Sequence, residues 1–341
     1  MKPKSPWCRA ALLLLLAVSS AAACGPSDSG RRDSAGGRAR DADGPLEVLA
    51  AGSLARPLRA ALDSFTARTG IPYTLEAAGS LELARRLTDL GKTADLVALA
   101  DEEVFPRFLI PSHVSWYARF ARNRLVLAHA PRARALGEAS GDGWRTVLPR
   151  EEVEVGRADP DLDPAGYRTL MLFQLAEEWY HEPGLARRLE ASSPRRHVRP
   201  KSAELVALLQ AGELDYAWMY ESTARGARLP FIVLPPAIDL GDESRAASYQ
   251  VARVRVLGTR VGDTLEMRGM PIRYGITIPR TAPRASAAAE LLRFLLSGDG
   301  HAAMRAEFLD TLDRPVLMGA EVPAWLAALA QAPGVTAHAT R

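Results

Sequence analysis

Cysteine and net charge are what this sequence has least of. Its 341 residues contain two cysteines, Cys8 and Cys24. Cys8 falls in a stretch with the marks of an export signal, so the folded part is expected to hold no internal disulfide, cysteine nucleophile or cysteine-based zinc site. The formal charge is only +3, from 43 Lys+Arg against 40 Asp+Glu. Lys2, Lys4 and Arg9 all lie in the first 23 residues, which carry no acid, so the remainder balances at 40 against 40. Such a chain lacks the basic footprint of a nucleic-acid binder or of a polybasic membrane-surface protein. Catalytic signatures are also missing. There is no G-x-S-x-G around a serine and no G-x-x-x-x-G-K-[ST] loop, and the six scattered histidines make no H-E-x-x-H pair. What remains, 48% hydrophobic and 24% charged, is an ordinary globular composition long enough for two domains.

The N-terminus reads as an address. Residues 1–23 combine the positive Lys2, Lys4 and Arg9 with an apolar run, Ala10 to Val18, that is too short to span a bilayer. The run ends in Ala21-Ala22-Ala23-Cys24-Gly25, a good but imperfect lipobox with alanine in place of the usual leucine. Cys24 is therefore the expected lipidation site, with plain cleavage after an A-x-A site as the alternative. Residues 24–44, rich in Gly, Ser, Asp and Arg, read as a solvated tether. The folded part then begins near Pro45 and runs for about 297 residues, with 331–341 as a loose tail.

Hydrophobic periodicity supplies the elements. Strand candidates at 46–50, 72–77 and 94–100 alternate with helical patterns at 55–69 and 81–90, the latter two closed by Gly70 and Gly91. This β-α-β-α-β order predicts a parallel sheet with crossover helices. Further strands are expected at 123–130, 214–220 and 272–278, and further helices from Pro164 to about Tyr180, from Ser202 to Leu209, at 287–297 and at 301–308. The fold class expected is α/β, with two lobes and a ligand cleft between them. Residues 45–122 and 282–330 would form lobe 1, and 123–281 lobe 2.

The tetrapeptide AGSL occurs twice, at 51–54 and 78–81, each time between a strand and a helix. Both copies fall at the carboxyl edge of the sheet, where ligands of open α/β sheets bind. Ser53, Ser80, Asp163 and Ser202 each precede a helix and suit a capping role, with Pro164 in the favoured first position after Asp163. A helix N-terminus offers unpaired N–H groups and partial positive charge, hence an anion site. Tyr220, at the end of a strand, adds a phenolic donor. Capping alone would explain any one of these residues; the duplication is what favours anion binding. The basic run Arg195, Arg196, Arg199 and Lys201 reads as a solvated loop, with anion steering as the lesser reading.

Six segments taken together carry a family likeness: AGSLARP (51–57), EAAGSLELARRLTDLGKTADLVALAD (76–101), WYARFARNRLVLAH (116–129), DPDLDPAGYRTLMLFQLAEEWY (159–180), RPKSAELVALLQAGELDYAWMY (199–220) and PIRYGITIP (271–279). The chain resembles the periplasmic oxyanion-binding proteins of molybdate and tungstate ABC transporters, most closely their archaeal-type branch. The resemblance implies a type II periplasmic-binding-protein fold and an exported, lipid-anchored binding protein facing the periplasm or cell exterior. That protein would be a monomer without cofactor or catalysis, handing molybdate or tungstate to a membrane permease. It implies oxyanion contacts from Ser53, Ser80, Asp163, the Ala165 amide, Ser202 and Tyr220, with Asp163 a candidate direct ligand to the metal. Ser202 stands where the archaeal branch places a glutamate. Of the nearby acids, Glu204 reads as a first-turn surface residue, and Glu221 would face away from the site if the strand continued past Tyr220. The alternatives are another oxyanion (sulfate, phosphate or a sulfonate), a sensor lipoprotein for the same ion, and a secreted serine hydrolase using Ser53 or Ser80.

Overall fold

The computed structural model describes residues 44–258 and 262–331. The expected signal (1–23), the lipidation site Cys24, all of the tether except Gly44, and the tail beyond Gln331 lie outside the described residues. Thirteen strands are described: β1 (Leu46–Ala51), β2 (Tyr73–Ala78), β3 (Leu96–Leu99), β4 (Trp116–Asn123), β5 (Leu125–His129), β6 (Val155–Ala158), β7 (Val198–Arg199), β8 (Tyr216–Tyr220), β9 (Phe231–Ile232), β10 (Arg253–Leu257), β11 (Thr264–Arg268), β12 (Ile272–Thr277) and β13 (Asp310–Gly319). No described helix is long and apolar enough to cross a membrane.

The first lobe is built on a six-stranded mixed sheet in the order β13-β4-β12-β3-β1-β2. β1 pairs in parallel with β2 and β3, and β12 closes antiparallel onto β3 and β4. β1 and β3 are almost entirely buried, as strands covered on both faces must be. The helix Ala55–Thr69 buries Leu58, Ala61, Leu62 and Phe65 along one stripe, the 3.6-residue period of an amphipathic helix. It stops at Gly70, whose φ of 74° is a left-handed conformation that costs glycine little. The helices Ala285–Leu295 and Gly298–Ala306 return to this lobe, and Phe294 sits 5.5 Å from Phe65, ring to ring.

The second lobe has a five-stranded sheet in the order β7-β6-β8-β5-β9. Its core centres on Trp218, which meets Trp144 and Phe173 edge-on at 5.5 and 5.2 Å between rings. The helix Pro164–Trp179 packs here and is buried on most of its circumference. The antiparallel hairpin β10–β11 belongs to neither sheet.

Three expectations need correction. The expected strand 123–130 is two elements: Asn123 ends β4 in the first sheet, and β5 starts at Leu125 in the second. The crossing is thus made at Arg124. β12, expected in the second lobe, is hydrogen-bonded between β3 and β4, so the chain re-enters the first sheet before 272 rather than near 282. Gln331, expected in the tail, ends the helix Ala324–Gln331.

Candidate functional site

Both AGSL segments lie where expected, at the carboxyl ends of β1 and β2. Ser53 sits in a 3-10 turn, Gly52–Leu54, and Ser80 is the first residue of the helix Ser80–Thr88; both are buried. The second lobe presents Asp163 and Ala165 at the start of Pro164–Trp179, Ser202 at the start of the 3-10 turn Ser202–Glu204, and Tyr220 at the end of β8.

The two sets meet across the seam between lobes. The N–H groups of Leu81 and Glu82 donate to the carbonyl of Leu162 at 3.2 and 3.4 Å. A Cβ on Gly79 would fall 2.1 Å from that carbonyl oxygen, so glycine permits the approach. A Cβ on Gly52 would lie 3.6 Å from the Lys201 side chain, and Lys201 Nζ donates to the carbonyl of Ala77 at 3.2 Å.

Only one of the four expected caps is made. Asp163 caps its helix through Oδ1, which accepts the Ala165 N–H at 2.9 Å, while Oδ2 accepts the Ser202 N–H at 2.9 Å. Burial raises the pKa of its carboxyl, against the lowering effect of those N–H groups and of Arg168. The three serines do not cap, because each lies inside its turn rather than before it. Ser80 Oγ instead accepts the Ala100 N–H at 3.0 Å, and Ser53 Oγ meets the Tyr274 hydroxyl at 3.0 Å. Ser202 Oγ is buried close to Asp163 without a well-formed hydrogen bond.

Sequence reasoning missed the group that ties these residues together. Arg168, one turn into its helix, donates to the Tyr220 hydroxyl at 2.7 Å and to the carbonyl of Ala100 at 2.6 Å, and pairs with Asp101 at 3.1 Å. Burial opposes its charge, but Asp101 and the tyrosines outweigh that and hold it firmly protonated. Asp101 also accepts the Tyr167 hydroxyl. Tyr220 and Tyr274 face each other at 5.9 Å between rings, and burial pushes the Tyr220 hydroxyl well above its ordinary pKa, so it stays a neutral donor. Ser80, Ala100, Arg168, Tyr220, Tyr274 and Ser53 therefore form one connected chain. Arg168 could have been suspected from its place in DPAGYR; nothing local marks Tyr274, which is 221 residues from Ser53.

Neither nearby acid supplies a second carboxylate. The strand ends at Tyr220 rather than continuing, and Glu221 opens a short helix where it pairs with Arg124 and Arg225. Glu204 is a half-exposed first-turn acid 3.7 Å from Lys201. Among the described residues, no three His, Cys, Asp or Glu side chains cluster as a metal-ion cage. A cavity of about 710 Å³ lies elsewhere, behind the crossing, between Arg122–Arg124, Glu221–Ser222 and Arg305–Asp310.

Chemically, the seam offers hydroxyls whose oxygens are already engaged by donors. Ser80 and Tyr220 each accept a hydrogen bond from a group that can only donate, which leaves their protons for a ligand. Such an arrangement is chemically suited to an acceptor-rich anion. Among the described residues, the partners of Ser53 and Ser80 are Tyr274 and the Ala100 amide, with no imidazole at either serine.

Comparison with known proteins gives a consistent result. The profile of the family described as bacterial extracellular solute-binding protein matches residues 46–309. A molybdate/tungstate-binding protein, WtpA, of Pyrococcus abyssi is 35% identical over 80% of this chain and 86% of its own. Among solved structures, the periplasmic molybdate-binding protein of Azotobacter vinelandii superposes with a TM-score of 0.54 at 16% identity, over 77% of this chain and 98% of that one. The sulfate-binding protein SubI of Mycobacterium tuberculosis does so equally, with a TM-score of 0.54 at 15% identity over 84% and 90%. At these identities the two structures establish the two-lobe fold alone. The relatives are solute-binding proteins, not enzymes.

Proposed function

The chain belongs to the bacterial extracellular solute-binding protein family, and from that premise we propose that it captures molybdate or tungstate outside the cytoplasm and delivers it to an ABC permease. The observation that carries the reading is the set of buried hydroxyls at the seam, Ser53, Ser80 and Tyr220, held beside the start of the helix Pro164–Trp179. Ser80 and Tyr220 each have a hydroxyl proton to offer, and the Ser202 hydroxyl, which makes no well-formed hydrogen bond, adds a further proposed contact. The Ala165 N–H is held by Asp163 Oδ1 in this structure, so its proposed contact to the ion requires that cap to be shared or released. Asp163 keeps a second lone pair on each oxygen, so it remains the proposed direct ligand to the metal. Because the fold is shared with a sulfate binder, the choice of ion rests on the 35%-identical relative and not on architecture.

A thermal-shift series tests this, because a ligand that binds only the native state raises stability by RT ln(1 + [L]/Kd). Molybdate and tungstate are expected to raise the melting temperature, and sulfate and phosphate to do so far less. A shift with sulfate or phosphate alone would replace the metal-oxyanion reading by the other-oxyanion one.

The rest of the proposal is lipidation at Cys24, export to the periplasm or cell exterior, and action as a monomer. Cys24→Ser should release the protein from the membrane fraction, and size-exclusion chromatography should return a single-chain mass.

A further inference from the structure

Asn123 stands at the end of β4, one residue before the crossing, with its amide buried between the lobes. Its Oδ1 accepts the N–H of Arg124 at 2.9 Å and that of Ser222 at 3.4 Å, which fixes the oxygen end of the amide. The Nδ2 end therefore faces the Ser222 hydroxyl at 2.7 Å and the Tyr274 hydroxyl at 2.9 Å. An amide nitrogen donates and cannot accept, so Tyr274 must be the acceptor in that bond. A phenol has one proton. The other described partner of the Tyr274 hydroxyl is Ser53 Oγ, at 3.0 Å, and leaving the buried proton unpaired would be costly. Tyr274 thus donates to Ser53, and Ser53 is left with its own proton free.

We propose that Asn123, acting through Tyr274, is a positioning residue that holds Ser53 as a hydrogen-bond donor toward the oxyanion and so favours oxyanions without a proton. The proposal rests on the reading of Ser53 as a ligand contact. The same polarity holds at the other two hydroxyls, where the Ala100 N–H backs Ser80 and Arg168 backs Tyr220. Asp163, the acceptor nearby, takes an N–H on each oxygen, and its remaining lone pairs are the ones proposed for the metal. At neutral pH molybdate, tungstate and sulfate carry no proton, whereas phosphate keeps at least one. The O–H of hydrogen phosphate needs an acceptor, and a serine locked as a donor withholds one.

Asn123→Asp tests the direction of the relay, because a carboxylate of the same shape only accepts. Tyr274 would then donate to the introduced carboxylate, Ser53 would donate to Tyr274, and Ser53 would turn a lone pair toward the ligand. Calorimetric titration at neutral pH should show molybdate binding weakened on the order of 10- to 100-fold, and the molybdate-to-phosphate preference reduced by about tenfold or more. In a repeat at about pH 8.5, where hydrogen phosphate is a dianion like molybdate, the added charge alone would weaken both anions alike and leave the ratio in place. Asn123→Asp should change the ratio no further when it is added to Ser53→Ala or to Tyr274→Phe. Tyr274→Phe alone, which keeps the ring packed on Tyr220, should lower the ratio by releasing the Ser53 oxygen to accept from the ligand, and serves if Asn123→Asp does not fold. A wild-type ratio in folded Asn123→Asp or in Tyr274→Phe, or an effect of Asn123→Asp on the ratio that persists without Ser53, overturns the relay. Wild-type protein that binds neither molybdate nor tungstate overturns the reading of the site, and the relay with it.

Discussion

Asp163 and Ser202, 39 residues apart, are joined by a single hydrogen bond from the Ser202 N–H to Oδ2, while Oδ1 caps the helix that Asp163 itself begins. One buried carboxylate thus fixes two chain segments of the second lobe against each other. Asp163→Ala strands both N–H groups and should cost ~1–3 kcal/mol of unfolding free energy. Asp163→Asn keeps one oxygen and should lose less. Chemical denaturation of both variants checks the order. Separately, a larger loss of tungstate than of sulfate affinity in Asp163→Asn is expected from direct coordination to the metal.

Arg168 of the second lobe reaches Asp101 of the first, and both are almost fully buried. Arg168→Met leaves Asp101 uncompensated, a change that typically costs ~3–5 kcal/mol, softened here by the Tyr167 hydroxyl. Because the pair spans the lobes, oxyanion affinity should fall along with stability. Arg168→Met/Asp101→Asn should recover part of both, measured as a double-mutant cycle.

Ser53→Ala and Ser80→Ala should each weaken molybdate binding by ~1.5–3 kcal/mol, the worth of a hydrogen bond to a charged ligand. Both also act on the unliganded protein. Ser80→Ala removes the acceptor of the buried Ala100 N–H and Ser53→Ala that of the buried Tyr274 hydroxyl, so each should also lower the melting temperature without ligand, by the equivalent of ~1 kcal/mol. Calorimetric titration and melting curves taken together separate the two effects.

Asp239 lines the cavity behind the crossing, and burial pushes its pKa up to about 6. The Gly241 N–H and Arg124 pull it down, while Asp242 and Glu221 push it up. Its unfolded value is near 4, so between about pH 4 and pH 6 the folded state holds more protons than the unfolded one. Stability contributed by this group is therefore present at low pH and falls as pH rises through that window. Asp239→Asn keeps an oxygen for the Gly241 N–H, so the variant should be more stable than wild type by ~1–2 kcal/mol at about pH 8 and equal to it near pH 4. Melting curves across that range provide the check.

The opening β-α-β-α-β unit is legible because its strands are continuously apolar and its helices keep a clean stripe that ends on glycine. β4 does not read as a strand because Arg119 and Arg122 interrupt it; in the fold Arg119 is neutralised bidentately by Glu102, 2.7 Å from each oxygen. β13 carries Pro315 and a register shift between Thr311 and Val316, which erases its alternation. At the site, the positions of Ser53, Ser80, Asp163 and Ser202 follow from the strand-to-helix turns, but the capping role expected of the serines does not. A turn that starts one residue early places the serine inside it, where Ser53 meets Tyr274 of β12, Ser80 meets the Ala100 amide just past β3, and the Ser202 hydroxyl makes no well-formed hydrogen bond. Tyr274, Asn123 and Asp101 are invisible in the sequence because only the paired sheets bring them near the serines.

The lobes meet closely where Gly79 faces the carbonyl of Leu162, with room for a hydrogen atom and nothing larger. A single methyl group there would act as a doorstop. Gly79→Ala would hold the jaws ajar while leaving every proposed ligand contact chemically intact, a way to study an unlatched form of the protein without altering what it grips.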